Sequence, residues 1–179
     1  MKVAIMGKLR SGKTTATNYL ALQLGCEPMD FSDALKDAVA IMYPQNKEKK
    51  DRTLLQSVGQ HMRKLDSDVW VNALLHKVNT SNYRNSVITG LRQENEHKAL
   101  KENGYHIIKI ECPQNIRVER ALKSGDKMTK ENLEHETEKK LDSLESDYTV
   151  TNDGNKYELY SKLDEIIADI LIKDVKSKL

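Results

Sequence analysis

Hydrophobic positions along the chain follow two spacings that alternate, and the alternation predicts the fold. The run over 2–6, Lys2 followed by Val3, Ala4, Ile5 and Met6, has the length and β-branched content of a strand buried on both faces. A helical pattern follows over 14–24, where Ala16, Tyr19, Leu20 and Leu24 share a face, no Gly or Pro interrupts, and Gly25 sits just past the end. Further β-branched runs at 86–89, 106–112 and 147–151 each follow a helical segment, and a shorter strand is expected near 27–31. The expected architecture is α/β: about five parallel strands with crossover helices.

Between the second and third strands the pattern makes a long helical excursion. Leu54, Leu55, Val58, Met62 and Leu65 form one stripe, while Arg52, Gln56 and Arg63 fall largely off it. Asp66, Ser67 and Asp68 then break the helix and cap the next, which carries Trp70. Near the C-terminus, Leu159, Leu163, Ile166, Ile167, Ile170 and Leu171 mark a helix packed on the sheet, with a homodimer interface as the alternative use of that stripe.

Composition narrows the reading without redirecting it. With 179 residues and 38% hydrophobic content the chain can bury one full core. A net charge of +2 argues against a surface for nucleic acid, and the charged runs at 46–52 and 129–140 mix both signs, as solvated helix faces or mobile segments do. Cys26 and Cys112 lie far apart beside apolar stretches and read as buried free thiols of a reducing compartment. The five histidines lack paired spacing, so none is assigned to a metal. The first apolar run breaks at Gly7 and no window approaches a membrane span, so a cytoplasmic protein without membrane contact is expected.

Chemistry enters where the first strand ends. Residues 7–14, GKLRSGKT, match G-x-x-x-x-G-K-[ST] with Gly7, Gly12, Lys13 and Thr14 at the fixed positions, between a strand and a helix as a phosphate-binding loop requires. Glycines let successive backbone N–H groups curl around an anion, and the helix N-terminus adds partial positive charge. Lys13 is placed to reach β- and γ-phosphates, and Thr14 to offer its hydroxyl to Mg²⁺. Arg10, Ser11 and Thr15 complete the candidate contacts to a nucleoside triphosphate.

Ligands of such folds sit beyond the carboxyl ends of the strands. The second strand leads into Asp30, Asp33 and Lys36, the third into Arg92 and Glu96, the fourth into Arg117 and Arg120, and the fifth into Asn152 and Gly154. A helical insertion after the second strand commonly forms the acceptor side of a small-molecule kinase, which makes Arg52, Gln56, Arg63 and Trp70 candidate acceptor contacts.

The stretches GKLRSGKTT, FSDALK, LLQSVGQHMRKLDSDVWV, ITGLRQENEHKALKENGYHIIKI and DYTVTNDG together resemble the deoxynucleoside monophosphate kinase family, mostly of bacteriophage or prophage origin, within the P-loop nucleoside monophosphate kinases. The resemblance covers most of the chain from Lys2 to about Gly154. It implies transfer of the γ-phosphoryl group of ATP, with Mg²⁺, to a (deoxy)nucleoside 5′-monophosphate. It also implies a single P-loop NTPase domain over 1–179, with a five-stranded core at 1–44 and 84–179, an acceptor-binding insertion at about 45–83 and a small lid at about 113–135. In this reading Lys13 and the loop hold the donor together with Asn152 and Gly154. Arg63 and Arg92 grip the acceptor phosphate, and Arg117 and Arg120 close over the transferred group. Asp33 orients acceptor or metal, with Lys36, Arg52, Gln56, Trp70 and Glu96 as further acceptor contacts.

One position departs from the family. Relatives read Asp-x-Arg after the third strand, where this chain has Gly90, Leu91 and Arg92. Asp30 or Asp33 is then expected to support the metal, and Gly90→Asp to restore it if the backbone tolerates a side chain there. Another small-molecule kinase, such as a dephospho-coenzyme A kinase, and a non-catalytic nucleotide-binding module are the alternatives; a motor-type ATPase subunit fits less well, for want of an evident oligomerisation segment.

Overall fold

The computed structural model describes residues 1–46, 51–124 and 141–176. Most of the two charged runs, and the expected lid beyond Ser124, lie outside the described residues. In chain order the elements are β1 (Lys2–Gly7), α1 (Lys13–Leu24), β2 (Pro28–Asp30), α2 (Asp33–Met42), a 3-10 turn (Pro44–Asn46), α3 (Arg52–Leu65), α4 (Val69–Thr80), β3 (Ser86–Thr89), α5 (Glu94–Glu102), β4 (His106–Glu111), α6 (Gln114–Lys123), β5 (Tyr148–Thr151) and α7 (Lys156–Lys176).

The strands form one sheet in the order β2-β3-β1-β4-β5, and β1 pairs in parallel with both β3 and β4, as β4 does with β5. Val3 lies opposite Val87, Ile5 opposite Ile108, and Ile110 opposite Val150. Val3, Ala4, Ile5 and Met6 are each 0% exposed, the burial on both faces that an uninterrupted apolar run implies.

Two compact units make up the chain: residues 1–28 with 83–179, and residues 29–82. The boundary falls inside β2, so α2 groups with α3 and α4 in the second unit. In the first unit α1 and α7 cover one face of the sheet, and Ala16, Leu20, Leu159, Leu163 and Ile170 pack with Ile5, Ile108 and Ile110. Burying a side chain such as Leu163 fully contributes about 1.5–3 kcal/mol. Tyr19 and Tyr160 stack at 4.0 Å between centroids and tie the two helices together at their edge. Gly25 ends α1 in the left-handed region, where its N–H reaches the Ala21 and Leu22 carbonyls. The C-terminal stripe packs as expected except at Leu171, which is 52% exposed because it rotates off the sheet-facing side of α7.

In the second unit α2, α3 and α4 pack on one another. Asp51 caps α3 by accepting the Leu54 N–H at 3.1 Å. The α3 stripe is covered less completely than its periodicity implies: Leu54, Leu55 and Val58 are half-buried, but Leu65 at the last turn is 83% exposed.

Candidate functional site

The phosphate loop runs from the end of β1 to the start of α1. Arg10 adopts φ 61 and Gly12 φ 103, a turn that no extended or helical segment makes, and it presents α1 by its N-terminus. Among the described residues no side chain caps α1, and no acidic residue occupies its first turn; the N–H groups and partial positive charge of such a helix end suit an anion. The Lys13 ammonium folds back over the loop, donating to the carbonyls of Gly7 at 2.6 Å and Lys8 at 2.7 Å. Ser11 is fully buried with a hydroxyl that finds no hydrogen-bond partner among the described residues, while Thr14 and Thr15 are exposed at the helix start.

Around this loop the first unit gathers four of the residues expected from strand ends. Arg117 is 4% exposed and donates from Nη1 to the Leu9 carbonyl at 3.3 Å. A mobile closing role is therefore corrected for Arg117: it is built into the interior and braces the loop from below. One helical turn on, the Arg120 guanidinium reaches the Gly154 carbonyl at 3.3 Å, Asn152 Oδ1 at 3.5 Å and Cys112 Sγ at 3.3 Å. Asn152 in turn donates from Nδ2 to the Ser11 carbonyl at 2.7 Å.

Both cysteines are free and half-buried rather than fully enclosed. Burial pushes the Cys112 thiol up, against a smaller pull from Arg120 and Arg117, so it stays a thiol at neutral pH. A cavity of about 380 Å³ opens beside the loop, walled by Gly7, Lys8, Cys112, Gln114, Arg117 and Thr151 among others.

After β3 the two expected residues separate in role. Arg92 is exposed, whereas Glu96 is 3% exposed and accepts the backbone N–H groups of Arg92 at 2.8 Å and Gln93 at 3.1 Å. Glu96 thus completes a capping box on α5, and its expected place as an acceptor contact is corrected. The signal was in the sequence: a glutamate three residues after Gln93 at a helix start. Gly90 sits at φ 80, in the left-handed region, so the condition placed on Gly90→Asp, a backbone that tolerates a side chain, is met there only at a cost in stability.

In the second unit Asp33 forms a cluster. Its Oδ2 accepts the Asp30 N–H at 3.0 Å and the Lys77 ammonium at 3.1 Å, and Lys36 lies 3.6 Å from Oδ1. Lys77 escaped the sequence reading because it lies 44 positions away, at the far end of α4. Asp30 is engaged locally, its Oδ1 taking the Ser32 N–H at 2.7 Å and hydroxyl at 2.6 Å. Arg63 is half-buried against Gly59, and Gln56 is exposed on α3. Arg52 opens α3, and its side chain lies outside the described residues. Trp70 is corrected from candidate contact to core: it is 6% exposed and its indole N–H donates to the Gly59 carbonyl at 3.3 Å.

Burial works to raise the Asp33 carboxyl, but the Asp30 amide, Lys77 and Lys36 outweigh it and hold the group below the usual carboxylate range. A carboxyl depressed in this way contributes stability that is present above its unfolded pKa and lost as acid carries the pH down through its folded value. Thermal melts across an acid series should therefore show Asp33→Asn losing less stability than the parent below about pH 4. Parallel acid profiles would mean that the ion pairs do not hold Asp33 down.

A triphosphate suits this site on three observations: the uncapped α1 N-terminus, the ammonium over the loop and the unpartnered Ser11 hydroxyl. Among the described residues no group of three or more His, Cys, Asp or Glu side chains could hold a metal by itself. Mg²⁺ is typically held by one or two protein oxygens, phosphate oxygens and water, and Thr14, exposed at the start of α1, would supply one such oxygen. No described helix is long and apolar enough to cross a membrane.

Known proteins agree with this architecture. Shikimate kinase from Acinetobacter baumannii superposes with a TM-score of 0.61 over 94% of this chain and 93% of its own, at 19% identity. The Aquifex aeolicus shikimate kinase gives 0.60 over 96% and 99%, also at 19% identity. In sequence, a candidate deoxynucleotide monophosphate kinase of Acanthamoeba polyphaga mimivirus is 28% identical, covering 90% of this chain and 93% of its own length. An uncharacterized protein of Ictalurid herpesvirus 1 (strain Auburn) is 28% identical over 85% of this chain, which spans only 64% of that protein's length. A family described as the AAA domain matches residues 3–139, from the first strand through the phosphate loop and beyond α6. With that match over most of its length and a phosphate loop between β1 and α1, the chain belongs to this AAA-domain family of P-loop proteins.

Proposed function

We propose that the protein transfers the γ-phosphoryl group of ATP to a (deoxy)nucleoside 5′-monophosphate, giving the diphosphate. The observation that carries the kinase reading is the loop itself, with Lys13 over its carbonyls and Arg117 and Arg120 anchored around it. The acceptor class is supported by the likeness to the mimivirus protein over nearly the whole of both chains.

In this reaction an oxygen of the acceptor phosphate attacks the γ-phosphorus, the bond to the β–γ bridging oxygen breaks, and ADP leaves. The acceptor is already an anion at neutral pH, so no strong general base is needed. What limits the reaction is bringing two anions together in line, and the protein's contribution is position and positive charge. Lys13 and the loop amides hold the triphosphate. Arg63 and Arg92 hold the acceptor phosphate by paired N–H contacts, and Lys36 adds charge. Asp33, oriented by Lys77, contacts the acceptor. Mg²⁺, when bound through Thr14, supplies neutralisation of the phosphate charge.

A coupled ADP-release assay with a panel of ribo- and deoxyribonucleoside monophosphates tests the assignment. Turnover with at least one of them supports it, and turnover with dephospho-coenzyme A alone replaces it with the related kinase. A protein that binds ATP but turns over none of these acceptors is a regulatory module, the reading that a side-chain-free Gly90 favours.

The acceptor clamp has its own test. Arg63→Lys and Arg92→Lys should each raise the acceptor KM or lower kcat by about tenfold while leaving ATP affinity nearly unchanged, because a point charge does not reproduce the guanidinium fork. Equal loss of ATP binding would transfer these arginines to the donor side.

A further inference from the structure

Asn152 follows β5, is 6% exposed, and has both halves of its side-chain amide committed. Nδ2 donates to the Ser11 carbonyl at 2.7 Å, and Oδ1 accepts from Arg120 Nη2 at 3.5 Å. Its backbone N–H donates to the Glu111 carbonyl at 2.7 Å, which fixes the residue against the end of β4. The amide also fills the space beneath the second glycine of the loop, since a Cβ on Gly12 would lie 2.1 Å from Nδ2. A primary amide meets an acceptor on one side with its NH2 and a guanidinium on the other with its oxygen. The reverse orientation would set oxygen against a carbonyl and an amide nitrogen against Arg120.

We propose that Asn152 is a positioning residue rather than a nucleotide contact: it locks the phosphate loop and Arg120 into one register before the triphosphate arrives. This rests on the ATP site proposed above and deepens it. A residue acting through the loop changes the binding of any polyphosphate, whereas a contact to base or sugar changes only nucleotides.

The experiment titrates ATP and inorganic tripolyphosphate, each with Mg²⁺, into the parent, Asn152→Ala and Asn152→Asp by calorimetry. Asn152→Ala removes both hydrogen bonds and should weaken ATP and tripolyphosphate by the same factor, about tenfold. Asn152→Asp keeps the shape and the oxygen facing Arg120, but it turns a carboxylate toward the Ser11 carbonyl and the bound anion. It should weaken both ligands further, about 100-fold, and its retained volume keeps the test informative if the alanine variant folds poorly. In steady state the KM for ATP should rise with the acceptor KM unmoved, a split that general loss of structure does not produce. Weakened ATP with unchanged tripolyphosphate would overturn the proposal and make Asn152 a direct nucleotide contact, and parental affinity for both would leave it no role. A parent that binds tripolyphosphate but not ATP would instead sink the ATP reading on which the proposal rests.

Discussion

Lys13→Ala should yield a folded protein whose phosphoryl transfer is slower by about 100- to 1,000-fold, the scale seen when one preorganised donor to a developing charge is removed. The ammonium rests on the Gly7 and Lys8 carbonyls at 2.6 and 2.7 Å, which stations the cation within the loop. Removing it costs the folded state two charge-assisted contacts, of which solvent replaces a large part because Lys13 is only half-buried. The expected penalty in stability is therefore small beside the loss in rate. Coupled assays paired with thermal melts separate the two quantities. Parental turnover from a variant with a parental melt would refute the kinase assignment.

Gly12→Ala should be a severely damaging substitution in the loop, and for two independent reasons. At φ 103 the residue occupies backbone space that side-chain-bearing residues rarely enter, and the added methyl would lie 2.1 Å from Asn152 Nδ2. Strain of this kind costs about 1–3 kcal/mol, and displacing a buried, doubly bonded amide adds about 1–3 kcal/mol more. A fall of roughly 2–6 kcal/mol in unfolding free energy, with loss of measurable ATP binding, is the expected result in denaturant melts and calorimetry. The double variant Gly12→Ala with Asn152→Ala relieves the collision but not the dihedral strain, and should recover only part of the stability. Full recovery would mean that packing alone makes glycine necessary there.

The sheet and the loop were legible because each rests on a local regularity. The run at 86–89 is too short for a helix and rich in β-branched residues, and its observed limits, Ser86–Thr89, coincide with the run. The loop was legible because two glycines and a lysine at fixed spacing have few other uses. What could not be read was how polar side chains would be spent inside the protein. Glu96 lies where an acceptor contact was expected, yet the unsatisfied N–H groups at the start of α5 take its carboxylate. Arg117 follows a strand as a functional arginine should, but a loop carbonyl 108 positions earlier holds it in the interior. Lys77 carried no local signal at all, since its partnership with Asp33 exists only once α2 and α4 are packed together. Helical periodicity similarly places Leu65 on the apolar stripe of α3 without indicating that its side chain stays 83% exposed at the last turn.

Gly90 sets what a carboxylate just after β3 would cost the fold. At φ 80 the residue lies in the left-handed region, which aspartate enters more readily than most side chains but still less freely than glycine, so the charge at this point of the sheet edge and the stability of the loop that carries it are traded against each other in one residue.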